Sequence, residues 1–222
     1  MQEACKVHAN PASAVNRLAQ MGLTMEALDE AVRTGLTQAS GCTENDVPMA
    51  RGLTAWMKTV RGLRDQLCPL GWQKDDSANF STVVDPTGSY AIAVAAGDAF
   101  TGLKNKTPST VTDRGPMTGT AVAVNRQLHL GEISEDFRKL AGPPPRETLQ
   151  TWYLVYYEDA DDDEIRLELS LPNAVTGTNR IVSWMERIII APQLGAGAVA
   201  IPALGGDVSD DLDIPVRRRE VS

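Results

Sequence analysis

Histidine is almost missing from this sequence: His8 and His129 are the only two in 222 residues. So few imidazoles leave little room for a histidine-rich metal site or an imidazole-driven catalytic relay. Cysteine is scarce too. Cys5, Cys42 and Cys68 are odd in number, and no two have Cys-x-x-Cys spacing. That excludes a disulfide framework and disfavours structural zinc, and it reads as free thiols in a reducing compartment. Long apolar runs are also absent. The longest, Ala91 to Ala96 and Ile188 to Ala191, fall far short of the roughly 20 residues a membrane-spanning helix needs. Met1 is not followed by a basic region and an apolar stretch, so no secretory signal is expected and a cytoplasmic location is. Positive charge is in the minority. Lys and Arg number 21 against 29 Asp and Glu, a net charge of -8, which repels phosphate backbones and argues against direct nucleic-acid binding. Arg217, Arg218 and Arg219 form the one basic triplet, and it sits beside an acidic stretch as a solvated tail.

What is present points to an α+β chain with N-terminal helices packed on an antiparallel, meander-like sheet of about five strands. Residues 1–71 read as helical. Asn10-Pro11 opens a helix to about Met21, Thr24 caps a second, and a third carries Met49, Leu53, Trp56, Met57, Val60, Leu63 and Leu67 on one face. Residues 72–192 read as a mainly antiparallel β core. Phe80 to Val84, the turn Asp85-Pro86-Thr87-Gly88 and Tyr90 to Ala96 form a hairpin. Residues 97–119 form a long loop, a length that is functional or mobile more often than not. Ala121 to Val124 is expected as a short strand, Ser134 to Leu140 as a helix, and Pro143 to Pro145 as a stiff connector. Trp152 to Tyr157 reads as an interior strand. In the next strand Ile165, Leu167, Leu169 and Leu171 alternate with Arg166, Glu168 and Ser170, which predicts one buried and one wet face. A last strand runs from about Trp184 to Ile190, and residues 193–222 form a Gly/Ala-rich, then charged, tail.

Motifs that would announce chemistry fail in identifiable places. Gly97 to Lys104 approaches a phosphate-binding P-loop, but Leu103 displaces the lysine and Asn105 lacks the hydroxyl. Gly195-Ala196-Gly197-Ala198-Val199-Ala200 copies a dinucleotide fingerprint as text, yet Pro202 breaks the helix that should open there. Asp159, Asp161 and Asp163 start like a calcium loop, but Glu164 occupies the glycine position and Ser170 the place of the bidentate Glu. No cofactor or metal is therefore expected, and no catalytic residue is assigned. His129, with Glu132 or Asp136 as orienting carboxylate, is the remaining base candidate.

The charge pattern carries the functional expectation. Glu158, Asp159, Asp161, Asp162, Asp163 and Glu164 place six carboxylates in seven residues between the two best strands. Asp207, Asp210, Asp211 and Asp213 form a second set. Such a hairpin suits docking on a basic protein surface. Leu70-Gly71-Trp72, Asp85-Pro86-Thr87-Gly88, Gly97-Asp98 and Thr101-Gly102 together resemble uncharacterised bacterial and mobile-element proteins over about half the chain, a resemblance that implies no activity. The expected function is a non-enzymatic, intracellular binding protein of a bacterium or its mobile elements, docking through the acidic surface. The alternatives are an enzyme with a loop-built site around residues 97–119 and His129, and an acidic inhibitor that mimics nucleic acid.

Overall fold

The computed structural model describes residues 4–129, 149–159 and 164–190. Expectations for Ser134 to Leu140, Pro143 to Pro145, Asp161 to Asp163, the 193–222 tail with its aspartates and arginines, and Glu132 and Asp136 fall outside them. In chain order the elements are β1 (Lys6–His8), α1 (Pro11–Gln20), α2 (Met25–Ala39), α3 (Ala50–Leu67), β2 (Gln73–Asp75), β3 (Thr82–Val84), β4 (Tyr90–Ala96), α4 (Pro116–His129), β5 (Gln150–Asp159), β6 (Glu164–Val175) and β7 (Ile181–Ile190). Among the described residues this is an α+β architecture of four helices and one seven-stranded sheet.

The first two helices start where their caps are. Asn10 Oδ1 accepts from Ala12 N–H, and Thr24 Oγ1 from Ala27 N–H. α2 and α3 then cross closely because each presents a glycine. A Cβ on Gly35 would lie 2.6 Å from Ala55 O, and one on Gly62 would lie 3.0 Å from Ala31 Cα. The burial on α3 differs from the expected stripe. Ala55, Thr59, Val60, Leu63 and Leu67 are inside, while Met49, Leu53 and Met57 are exposed and Trp56 is half-buried. Small residues stand at the crossing with α2 because only they permit the close approach, and the exposed large apolar residues lie toward the start of the helix.

The sheet is mixed and seven-stranded, not an antiparallel meander of five. Its order is β1-β7-β6-β5-β4-β3-β2, with β1 parallel to β7 and β4 parallel to β5. Two antiparallel runs, β2-β3-β4 and β5-β6-β7, are thus joined edge to edge by a parallel pair. A parallel step demands a crossover, and α4 lies on it, packed against β5 and β6. Ala121 to Val124 is therefore helix, not strand. The buried positions of α4 include Thr118, Ala121, Val122 and Asn125, an i, i+3, i+4, i+7 spacing in which two of four residues are polar. Asn125 earns its place by a paired contact: its Nδ2 donates to Thr151 O at 2.9 Å and its Oδ1 accepts from Thr151 N–H at 2.8 Å.

Both sheet faces are covered. Ile92, Val94, Trp152, Leu154, Leu167, Leu169 and Ile188 pack under α1–α3. Ala93, Ala95, Tyr153, Val155, Ile181 and Trp184 form a second cluster on the opposite face. Leu167 and Leu169 are fully buried as alternation requires, but Glu168 and Ser170 are fully buried as well, so the face expected to be wet is not. Residues 98–111 cover it. Glu168 and Arg187 form an ion pair there, Nε to Oε1 at 2.9 Å and Nη2 to Oε2 at 2.5 Å. Ser170 Oγ donates to Glu168 at 2.8 Å, and the covering segment supplies the rest: Gly102 N–H donates to Glu168 at 2.9 Å, and Arg187 donates to Lys106 O at 2.6 Å and Leu103 O at 3.3 Å. Gly102 can offer its N–H because it sits at φ 75°, the left-handed region that glycine enters freely.

Arg187→Met leaves Glu168 charged, buried and unpaired, and is expected to cost about 3–5 kcal/mol. Arg180→Met removes the exposed pair with Asp113 and should cost under about 1 kcal/mol. Urea midpoints of the two variants compare these directly. The double change Glu168→Met with Arg187→Met should recover much of the loss, since no orphaned charge remains.

Candidate functional site

The acidic hairpin is described at its two ends. Glu158 and Asp159 close β5 and Glu164 opens β6, with Asp159 directly opposite Glu164. Two arginines already serve these carboxylates. Arg51 Nη2 lies 2.6 Å from Glu158. Arg166 lies 3.8 Å from Asp159 and 3.4 Å from Glu164, stacks its guanidinium 4.7 Å above the Tyr157 ring, and donates to Ala99 O at 2.8 Å.

The 97–119 segment is not a free loop. Asp98 caps its own turn, accepting from Phe100 N–H at 3.0 Å, Ser109 N–H at 3.0 Å and Ser109 Oγ at 2.8 Å. Trp184 Nε1 donates to Pro108 O at 2.8 Å, and Thr110 exchanges hydrogen bonds with Ile181 at 3.0 Å. The last residues of the segment belong to α4. His129 stands at the far end of that 14-residue helix, about 20 Å from its start.

The other histidine is fixed in place, not frayed. His8 Nδ1 lies 2.7 Å from Ser13 Oγ and Nε2 2.9 Å from Glu186 Oε1. Glu186 also takes Arg17 Nε at 2.6 Å and Nη2 at 3.2 Å. The Ser–His–carboxylate order is that of a nucleophile relay, but the forked Arg17 occupies the carboxylate, and the network closes as a clasp of β1 and α1 onto β7.

A cavity of about 330 Å³ lies between α3, the 78–81 turn, β4 and the start of α4. Trp56 and Phe80 supply flat apolar walls; Asn79, Ser81, Arg114 and Thr118 supply polar groups. Arg114 is the distinctive one. Its Nη2 donates to Val94 O at 3.3 Å, the carbonyl that also accepts Trp56 Nε1 at 3.2 Å, and its guanidinium lies 6.0 Å from the Tyr153 ring centre. Its Nε–H is buried without an acceptor. Arg64, Arg166 and Arg180 share that feature but each pairs with a carboxylate; among the described residues Arg114 pairs with none. Burial accordingly pushes its pKa down from the ordinary arginine value. Pro116 begins α4 at this wall, so the positive end of the helix faces the same space.

The rim is strained. Ala78 and Asn79 both adopt positive φ, 54° and 56°, a conformation that costs about 1–3 kcal/mol and collects at ligand clamps. Their neighbours hold them: Asp75 Oδ1 accepts from Ser77 N–H at 2.9 Å, and Asp76 Oδ1 accepts from Arg64 and Ser81 at 2.6 Å each. Sequence reading missed this site. Its residues come from four separate segments, and the only local signal was Gly115-Pro116 at a helix start.

Among the described residues, no group of three or more His, Cys, Asp or Glu is placed to hold a metal, and no helix is long and apolar enough to cross a membrane. Comparison with protein-family models, with curated proteins and with solved structures returns no match. Function must be argued from the site alone.

The clasp gives a pH prediction. Burial pushes the Glu186 carboxyl up, but Arg17's hydrogen bonds and charge, with the His8 contact, outweigh it and hold the group below the ordinary carboxylate range. A lowered folded pKa contributes stability above the unfolded value, about 4.3, and loses it as pH falls through the folded value. Glu186→Gln should cost about 1–3 kcal/mol at neutral pH, and the gap to wild type should close as pH drops below about 4. Urea midpoints across that range measure it.

Proposed function

We propose that the protein is a non-enzymatic, cytoplasmic binding protein that captures a small anionic group in the Arg114 cavity. The observation that carries this reading is the largely buried guanidinium without a carboxylate partner at the wall of a preformed cavity. Burying an unpaired charge is costly, and an anion entering the cavity offsets that cost. The other lining groups are of the same kind. Asn79 has an amide with no hydrogen bond inside the described chain, Thr118 bears a hydroxyl that accepts from Tyr153 and keeps its own proton to donate, and the helix end adds its partial positive charge. These groups donate hydrogen bonds and do not exchange protons near neutrality, which suits holding an anion more than transforming it. The volume falls within the range of small-molecule sites.

NMR titration of the full-length chain with acetate and inorganic phosphate tests this. Arg114→Met should weaken binding about 10–100-fold, the range of a hydrogen bond to a charged group, while Arg180→Met should not. Equal affinity in wild type and Arg114→Met removes the reading.

A second reading concerns the acidic hairpin, favoured by Asp159 standing opposite Glu164. Arg166 serves these two facing carboxylates, and six carboxylates in seven residues exceed what it and Arg51 can balance, which supports docking on a basic protein surface through Glu158, Asp159, Asp161, Asp162, Asp163 and Glu164. Changing Asp161, Asp162 and Asp163 to Asn should slow association with a captured partner at low salt and flatten its salt dependence, read by surface plasmon resonance. Competition by DNA would identify the hairpin as a nucleic-acid mimic.

A further inference from the structure

A second cavity of about 350 Å³ adjoins the first, and Phe80 and Met117 line both. Its character is different. Ala91, Ala121, Val124 and Leu149 give it apolar walls, and it is bounded by the β3–β4 face on one side and α4 on the other. It exists because α4 buries small residues: Ala121 against the sheet, where a larger side chain would fill the space. Asp75, Thr82, Thr120 and Thr151 add polar groups to its lining. The positive charge lies at Arg114, and the apolar walls lie beyond Phe80 and Met117.

We infer that the ligand is an amphipathic anion: an oxyanion head held at Arg114, with an unbranched or flat apolar body passing Phe80 and Met117 into the cavity against α4. The inference rests on the Arg114 reading and extends it to the ligand's other half. Head and body are recognised by different physics. The head meets a desolvated guanidinium and a helix end. The body removes apolar surface from water, and each methylene buried tightens binding about fourfold.

Acetate, octanoate, octyl phosphate and octanol, titrated into the full-length chain, separate the two halves. Wild type should bind octanoate at least about 30-fold more tightly than acetate, since several of its methylenes are buried. Arg114→Met should weaken both acids and keep that ratio. Ala121→Leu, which fills the apolar cavity, should collapse the ratio toward one. In the unaltered protein, octanoate should shift the methyl resonances of Met117 and Ala121, which keeps the test open if a variant misfolds. Octyl phosphate binding more tightly than octanoate assigns a phosphate head, and the reverse a carboxylate; either ranking supports the inference. An octanoate-to-acetate ratio below about three in wild type, or octanol binding as tightly as octanoate, overturns it. If the ratio fails while Arg114→Met still weakens acetate, the anion site stands without the apolar extension. If neither acid responds to Arg114→Met, both readings fall.

Discussion

Glu168 and Arg187 sit side by side on the two strands that follow β5, each almost wholly removed from water. Neither tolerates that position alone, because a buried charge without a partner costs several kcal/mol. Nor does the pair saturate itself: a carboxylate accepts more hydrogen bonds than one guanidinium supplies, and the guanidinium has donors left over. Ser170 Oγ, Gly102 N–H and the carbonyls of Leu103 and Lys106 complete the account. The 98–111 segment is thereby bound to the sheet by charge, not by apolar contact. Glycine at its start lets backbone approach strand. Gly97 shows this: a Cβ there would lie 2.5 Å from Val155 Cγ1.

With that cover in place, the chain enters α4 at a defined point. Arg114 N–H donates to Thr178 O at 3.1 Å, and Asn179 donates back to Arg114 O at 3.3 Å. The backbone of Arg114 is fixed by the β6–β7 connection, and its side chain turns under β4 toward Val94 and Tyr153. The cavity beside it follows from this sequence of constraints. The ion pair anchors the cover, the cover delivers Arg114, and Asn125 fastens the helix that follows to the first residues of β5. A rigid surround of this kind holds strained residues such as Ala78 at the rim and keeps a charged group desolvated before any ligand arrives.

Several elements were legible in the residues alone. Asn10-Pro11 and Thr24 mark helix starts because a cap is a contact between near neighbours. The Asp85 to Gly88 turn and the β3–β4 hairpin follow from turn chemistry of the same short range. Leu167 and Leu169 point inward because alternation is a property of the extended backbone. α4 was not legible. Its buried stripe includes Thr118 and Asn125, and an apolar search treats both as surface, leaving Ala121 to Val124 to look like a strand. β1 was equally hidden, since three residues at the chain start carry no period, and their partner in β7 lies about 180 residues on.

What the sequence determined by itself was therefore the local layer: where helices are capped, which turns form, which face of β6 holds the large apolar side chains, and that six carboxylates cluster in one connection. Each depends on residues within a few positions of one another. The tertiary structure alone decided whether the second sheet face would be wet or covered, how β4 and β5 would pair in parallel, and which arginines would meet a carboxylate. Those outcomes turn on the burial of polar groups. Glu168 and Arg166 look alike in an alternating strand, yet one is sealed under a distant segment and the other reaches its edge. Arg114 is one arginine among many in the chain. Only the fold sets it beside Trp56, Asn79 and Phe80 and away from every described carboxylate, because desolvation is set by neighbours that the local sequence does not contain.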